Sequence, residues 1–133
     1  MNNDLRKNSK IKSFTDLKVW QEGHQLVIAI YKITDRFPKK ETYSLIDQMR
    51  RCATSITSNI AEGFGRQTYK EKIQYYYQAQ GSLTELKNQL LIARDVGYLR
   101  DKPFKGLANK ANLVHQLLAG LIRKSKSFVN QKS

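Results

Sequence analysis

The chain holds little cysteine, little proline, few acidic residues and no long apolar run. Each of these absences excludes something. Its one cysteine, Cys52, cannot close an internal disulfide, and four-ligand zinc spacing is missing. A lone thiol fits a reducing compartment. No apolar stretch approaches the roughly 20 residues that cross a bilayer. The opening stretch, residues 1–14, is polar and has no apolar core after its positive charges, so it is not a secretory signal. The expectation is a cytoplasmic protein that does not engage a membrane. With only Pro38 and Pro103, few turns are forced and long helices are favoured. The 133 residues suit one domain, and a hydrophobic fraction of 40% is enough for a core without disulfides or metals.

Negative charge is the scarcest commodity. There are 24 Lys and Arg against 11 Asp and Glu, a formal net charge of +13. Such a balance favours polyanionic partners such as RNA, DNA or an anionic lipid surface, although basic charge also serves solubility.

Four segments carry helical periodicity. In the first, about Asp16 to Arg36, Leu17, Trp20, His24, Val27, Tyr31 and Thr34 recur at 3-4-3-4-3 spacing and form one face. Ser13 or Thr15 can cap its start, and Phe37-Pro38 ends it. The second, about Thr42 to Phe64, has Leu45, Met49, Ala53, Ile56 and Ile60 as its stripe; Gly63 and Gly65 bracket its end, where a left-handed residue can close the last turn. The third begins at Thr68, which has capping-box spacing to Glu71, and runs through Ile73, Tyr76 or Tyr77, Leu83, Leu86, Leu90 and Ala93 to a stop at Gly97. The fourth begins near Asp101 with Pro103 in its first turn, and Phe104, Leu107, Ala111, Val114, Leu118, Leu121, Ser125 and Phe128 line up along it. Short links make neighbouring helices antiparallel. The predicted fold is all-α, an antiparallel up-down-up-down four-helix bundle over residues 13–129, preceded by a flexible basic arm of residues 1–12.

No catalytic constellation emerges. His24 and His115 lack the Glu-x-x-His pairs of di-metal bundles and read as structural. Cys52 follows Arg50 and Arg51 but has no nearby base, so it reads as a small buried hydrophobe rather than a nucleophile. Gly63-Phe64-Gly65-Arg66 lacks the preceding strand and the Lys-Ser/Thr pair of a phosphate loop. No metal, cofactor or enzymatic activity is therefore expected. In the run Tyr75-Tyr76-Tyr77, Tyr76 or Tyr77 suits the core, and Tyr75 is a candidate for exposure beside Lys70 and Lys72, where it could stack on unpaired bases; packing is the favoured reading.

Two arrangements stand out. On the second helix, Gln48, Cys52, Ser55, Asn59 and Glu62 form a short-chained, nearly uncharged stripe at 4-3-4-3 spacing, beside the apolar one; Ser82 and Glu85 on the third helix share its character. A wet face of so basic a chain would carry Lys and Arg, so this stripe reads as a semi-buried polar seam, within a subunit or between subunits. The cations, in turn, cluster. Arg6, Lys7, Lys10 and Lys12 lie near the start, Arg66, Lys70 and Lys72 at the second turn, and Arg123, Lys124 and Lys126 near the end. The topology brings these three groups to one end of the bundle, as phosphate binding requires. Lys39 and Lys40 fall at the other end.

Several stretches also resemble the four-helix-bundle family of proteins encoded within 23S rRNA intervening sequences. They are Phe14-Thr15-Asp16-Leu17-Lys18-Val19-Trp20, Phe37-Pro38, Gln48-Met49-Arg50-Arg51, Ser55-Ile56-Thr57-Ser58-Asn59-Ile60-Ala61-Glu62-Gly63 and Ala79-Gln80-Gly81-Ser82-Leu83-Thr84-Glu85-Leu86. The resemblance covers roughly residues 14–125. It implies a ring-shaped homopentamer and kinship with the basic accessory variability proteins of diversity-generating retroelements, which bind nucleic acid and a reverse transcriptase. It carries over no catalytic residue. The function expected is a non-enzymatic nucleic-acid-binding or RNA-associated adaptor acting as a homo-oligomer. The alternative is a scaffold whose basic surface meets an acidic protein such as a polymerase.

Overall fold

The computed structural model describes residues 10–132, with side chains through 129. Four long helices make up the fold: α1 (Lys18–Thr34), α2 (Leu45–Phe64), α3 (Tyr69–Asp95) and α4 (Asp101–Lys132). Each packs on the next in sequence, and α1 also packs on α4, closing an up-down-up-down bundle. The described residues include no strand.

The ends of the helices follow local chemistry. Ser13 caps a single 3-10 turn, Phe14–Asp16, rather than α1 itself: its hydroxyl accepts from Thr15 N–H while Asp16 accepts from the Ser13 and Lys12 backbone N–H groups. Leu17 is then extended, so α1 starts two residues later than its periodicity predicts. Likewise, Lys39–Glu41 forms a separate 3-10 turn and α2 begins at Leu45. Thr68 caps α3 by accepting from Glu71 N–H, and the Glu71 carboxylate takes the Thr68 hydroxyl rather than a backbone group, so only half of the capping box forms. Gly97 has φ +89° and closes α3: Tyr98 N–H reaches the Ala93 carbonyl and Gly97 N–H the Arg94 carbonyl.

The core is built from Leu26 and Ile30 of α1, Met49, Ile56 and Ile60 of α2, Tyr76, Leu83, Leu86 and Leu90 of α3, and Val114 and Leu118 of α4, all almost fully buried. Each such side chain contributes about 1.5–3 kcal/mol by leaving water. The stripes of α2, α3 and α4 match the spacing in the sequence, with Ile46, Ala79 and Ile122 added. The stripe of α1 does not. Val19, Leu26, Val27, Ile30 and Thr34 face inward, whereas His24 and Tyr31 are exposed. The true face is rotated by roughly a quarter-turn from the predicted one. Two 3-4 patterns overlap in this segment, and the aliphatic one wins. Trp20 stays at the rim, its ring stacked on His24 at 4.7 Å and edge-on to Phe14.

Gly63 and Gly65 do not close α2 through a left-handed residue; Gly65 is right-handed, with φ −78°. Gly63 is instead a close-packing position inside the helix. A Cβ there would lie 2.7 Å from Cε1 of the buried Tyr76 ring and 3.0 Å from Tyr75 Cβ. The missing side chain is what lets α2 and α3 approach before they turn.

Candidate nucleic-acid interface

The chain start, the α2–α3 turn and the end of α4 lie together. Ile11 and Leu17, then Phe64, Tyr69, Lys72 and Tyr76, then Leu121, Lys124, Ser125 and Phe128 line one shared cleft. The Tyr69 and Phe128 rings touch at 4.8 Å, joining the start of α3 to the end of α4. Three basic groups surround this junction. Arg6 and Lys7 lie outside the described residues. Lys10, Lys12, Lys70, Arg123, Lys124 and Lys126 are all exposed.

Arg66 and Lys72 do other work. Arg66 pairs with Glu62 at 3.1 Å, donates to the Tyr75 hydroxyl and lies over that ring at 4.7 Å. Lys72 donates to the Phe64 carbonyl at 2.6 Å, satisfying a C-terminal acceptor of α2, and rests near the Phe64 and Tyr69 rings. Burial holds its ammonium below the usual lysine range. Both side chains fasten the turn. The tyrosine run is also ordered differently from its expectation: Tyr76 is core, Tyr75 is half-buried beneath Arg66, and Tyr77 is the exposed member, with Lys126 Nζ 5.2 Å from its centroid.

Residues 15–120 match the family described as 23S rRNA-intervening sequence protein. The chain belongs to that family. Among solved structures it is similar to a protein of unknown function from the S23 ribosomal protein family of Bacteroides thetaiotaomicron VPI-5482, with a TM-score of 0.73 and 19% identity. The alignment covers 78% of this chain and 97% of that one, and at such identity it supports the fold alone. No curated protein matches the chain.

In this intervening-sequence family member, the polar stretch of α2 meets α3 within the subunit. Cys52 donates its S–H to Glu85 at 3.0 Å and accepts from Gln89. Ser55 and Ser82 share a hydrogen bond at 2.9 Å, and Asn59 donates to the Ser55 carbonyl and hydroxyl. Burial first, then Glu85, pushes the Cys52 thiol up to about 11, the opposite of what a nucleophile needs. Gln48 and Glu62, at the ends of the predicted seam, are exposed.

The histidines do not come together. The His115 Nδ1 lies 3.0 Å from Lys87 Nζ, and because an ammonium only donates, the ring nitrogen accepts. Burial and then Lys87 hold that imidazole below its usual range, favouring the neutral form. Among the described residues no group of His, Cys, Asp and Glu is placed to hold a metal, and no helix is long and apolar enough to cross a membrane.

One surface escaped the reading of spacing and charge clusters. None of the 24 Lys and Arg falls within residues 52–65 or 73–86. The outward side of α2 and α3 there presents Ser58, Gln78, Gly81, Thr84 and Glu85, with Glu62, held by Arg66, and Gln74, beside Lys70 and Lys126, at its edge. On a +13 chain, two helical stretches without a lysine or arginine are readable in the sequence as a gap between the basic clusters.

Proposed function

We propose that the protein is a non-enzymatic nucleic-acid-binding adaptor, with RNA the favoured ligand, that works as a basic homo-oligomer. One observation carries the reading. Six exposed cations, Lys10, Lys12, Lys70, Arg123, Lys124 and Lys126, gather at one end of the bundle, and none is ion-paired with a described carboxylate. Some cations elsewhere are paired, Lys110 with Glu22, Arg50 with Asp35 and Arg51 with Asp47. Lys32, Arg36, Lys39, Lys40, Arg100, Lys102 and Lys105, however, are exposed and paired with no described carboxylate as well, so what sets this end apart is the aromatic cleft beside its cations. Unpaired cations gathered beside one cleft suit a phosphate backbone. The sequence carries no motif that reads base edges, so the affinity should be electrostatic and weakly sequence-dependent.

An acidic protein partner is the second reading. It is favoured by an apolar groove of about 380 Å³ between α1 and α4, lined by Ala29, Ile33, Pro103 and Leu107 and rimmed by Lys32, Arg36 and Lys110. Titration of fluorescently labelled RNA with polyglutamate as competitor separates the two. Saturable RNA binding that polyglutamate does not displace supports the first; polyglutamate binding at the groove, with no RNA bound, supports the second.

Self-association is proposed through the cation-free α2–α3 face. Copies of a +13 chain repel, so they should meet where neither brings a lysine or arginine. A ring of five, as the family resemblance implies, would repeat the basic end in every subunit and raise avidity. Light scattering after gel filtration should give several times the 15.4 kDa protomer mass, and lysines introduced at Gln78 and Thr84 should return it to one protomer. A monomeric wild type at micromolar concentration contradicts this.

A further inference from the structure

The cleft at the basic end has a composition that charge alone does not explain. It has a volume of about 310 Å³, at the lower edge of the range for small-ligand sites. Its aromatic wall comes from three places: Phe64 at the end of α2, Tyr69 at the start of α3 and Phe128 late in α4. Leu17 and Leu121 add aliphatic surface, and Lys72 and Lys124 stand among these apolar groups. Aromatic rings packed for the core alone would be buried, yet Phe64, Tyr69 and Phe128 all remain partly open to solvent.

We infer that this cleft seats an unpaired nucleobase of a single-stranded nucleic acid. The inference rests on the nucleic-acid reading above and adds what that reading lacks, a place for a base. Lys10 and Lys12 flank the cleft-lining Ile11, Arg123 precedes the cleft-lining Lys124, and Lys70 and Lys126 line the next groove along α3 and α4, so a strand whose phosphates follow these cations would run past the cleft. A base turned inward would stack on the Tyr69–Phe128 pair, and its flanking phosphate would meet Lys124. Lys72 keeps further N–H donors beyond the one given to Phe64. Ser125, in the cleft wall, spends its hydroxyl on the Leu121 carbonyl of its own helix at 2.8 Å. Few polar groups are thus left to read a base edge, and any base should fit. Stacking of this kind tolerates every base because each has a π-face.

The test compares two ligands of equal length and charge: a short deoxythymidine strand and a strand made only of abasic sugar-phosphate units. Wild-type protein should bind the abasic strand roughly 5- to 150-fold more weakly, the range expected for one stacked base. Phe128→Leu and, independently, Tyr69→Leu should remove most of that difference while leaving the salt dependence of binding as it was. The wild-type comparison needs no folded variant, and circular dichroism checks each substitution. If wild type binds both strands equally, the base site is wrong and the electrostatic reading stands. If wild type binds neither of these strands nor single-stranded RNA of the same length, both fall.

Discussion

Reversing Lys70, Arg123 and Lys126 to glutamate should lower affinity for single-stranded RNA by about a hundredfold or more at 0.1 M salt. Each phosphate neutralised on a single strand contributes about 0.7 to the slope of log affinity against log salt. Three lost contacts should therefore flatten that slope by about 2 units, and one decade of salt below 1 M turns 2 units into a factor of about one hundred. Repulsion by the new carboxylates adds to the loss. These three residues are chosen because they are exposed and form no ion pair with a described carboxylate. Arg66 and Lys72 would be poor choices: they hold Glu62, Tyr75 and the Phe64 carbonyl, and their reversal would confuse folding with binding. Lys39 and Lys40, at the other end of the bundle, are the control, and reversing them should cost much less. Fluorescence anisotropy across a salt series measures all of this. Affinity unchanged by the triple reversal would move the binding surface elsewhere.

Gly63→Ala should destabilise the fold by about 1–2 kcal/mol, even though alanine is the better helix former. Its Cβ would press within 2.7 Å of the Tyr76 ring, which is only 2% exposed and has no room to retreat. The cost of overpacking a closed site, about 1–3 kcal/mol, exceeds the helix-propensity gain of about 0.5–1 kcal/mol. The sign should reverse at Gly106, also helical, where a Cβ meets nothing within 4 Å, so that Gly106→Ala gains up to about 1 kcal/mol. Thermal unfolding of the two variants side by side reads both signs. A Gly63→Ala protein melting above wild type would mean that the α2–α3 contact is looser than described.

Much of this architecture was legible in the sequence, for identifiable reasons. The stripes of α2, α3 and α4 each have one strong apolar line, and Gly97 and Pro103 mark real ends. The first helix misled because aromatic and aliphatic lines overlap, and periodicity alone does not say whether Trp20 or Leu26 goes deeper; packing against α2 and α4 decides it. Gly63 misled because a glycine near a helix end looks the same in sequence whether it terminates a turn or admits a neighbouring ring. The polar seam was visible as short uncharged side chains, but only the register of α2 against α3 pairs Cys52 with Glu85 and Ser55 with Ser82. Convergence of the basic groups followed from topology, since alternating antiparallel helices leave no other place for them. Which cations fasten the turn and which stay open to a ligand could not follow from topology, because Arg66 and Lys70 differ only in what lies beneath them.

The most direct measurement is a titration of labelled single-stranded RNA with wild-type protein from about 50 to 300 mM salt. The account predicts saturable binding whose log affinity falls linearly with log salt, with a slope of about −2 or steeper, as several neutralised phosphates require. No binding at about 50 mM salt, or binding indifferent to salt, would contradict it.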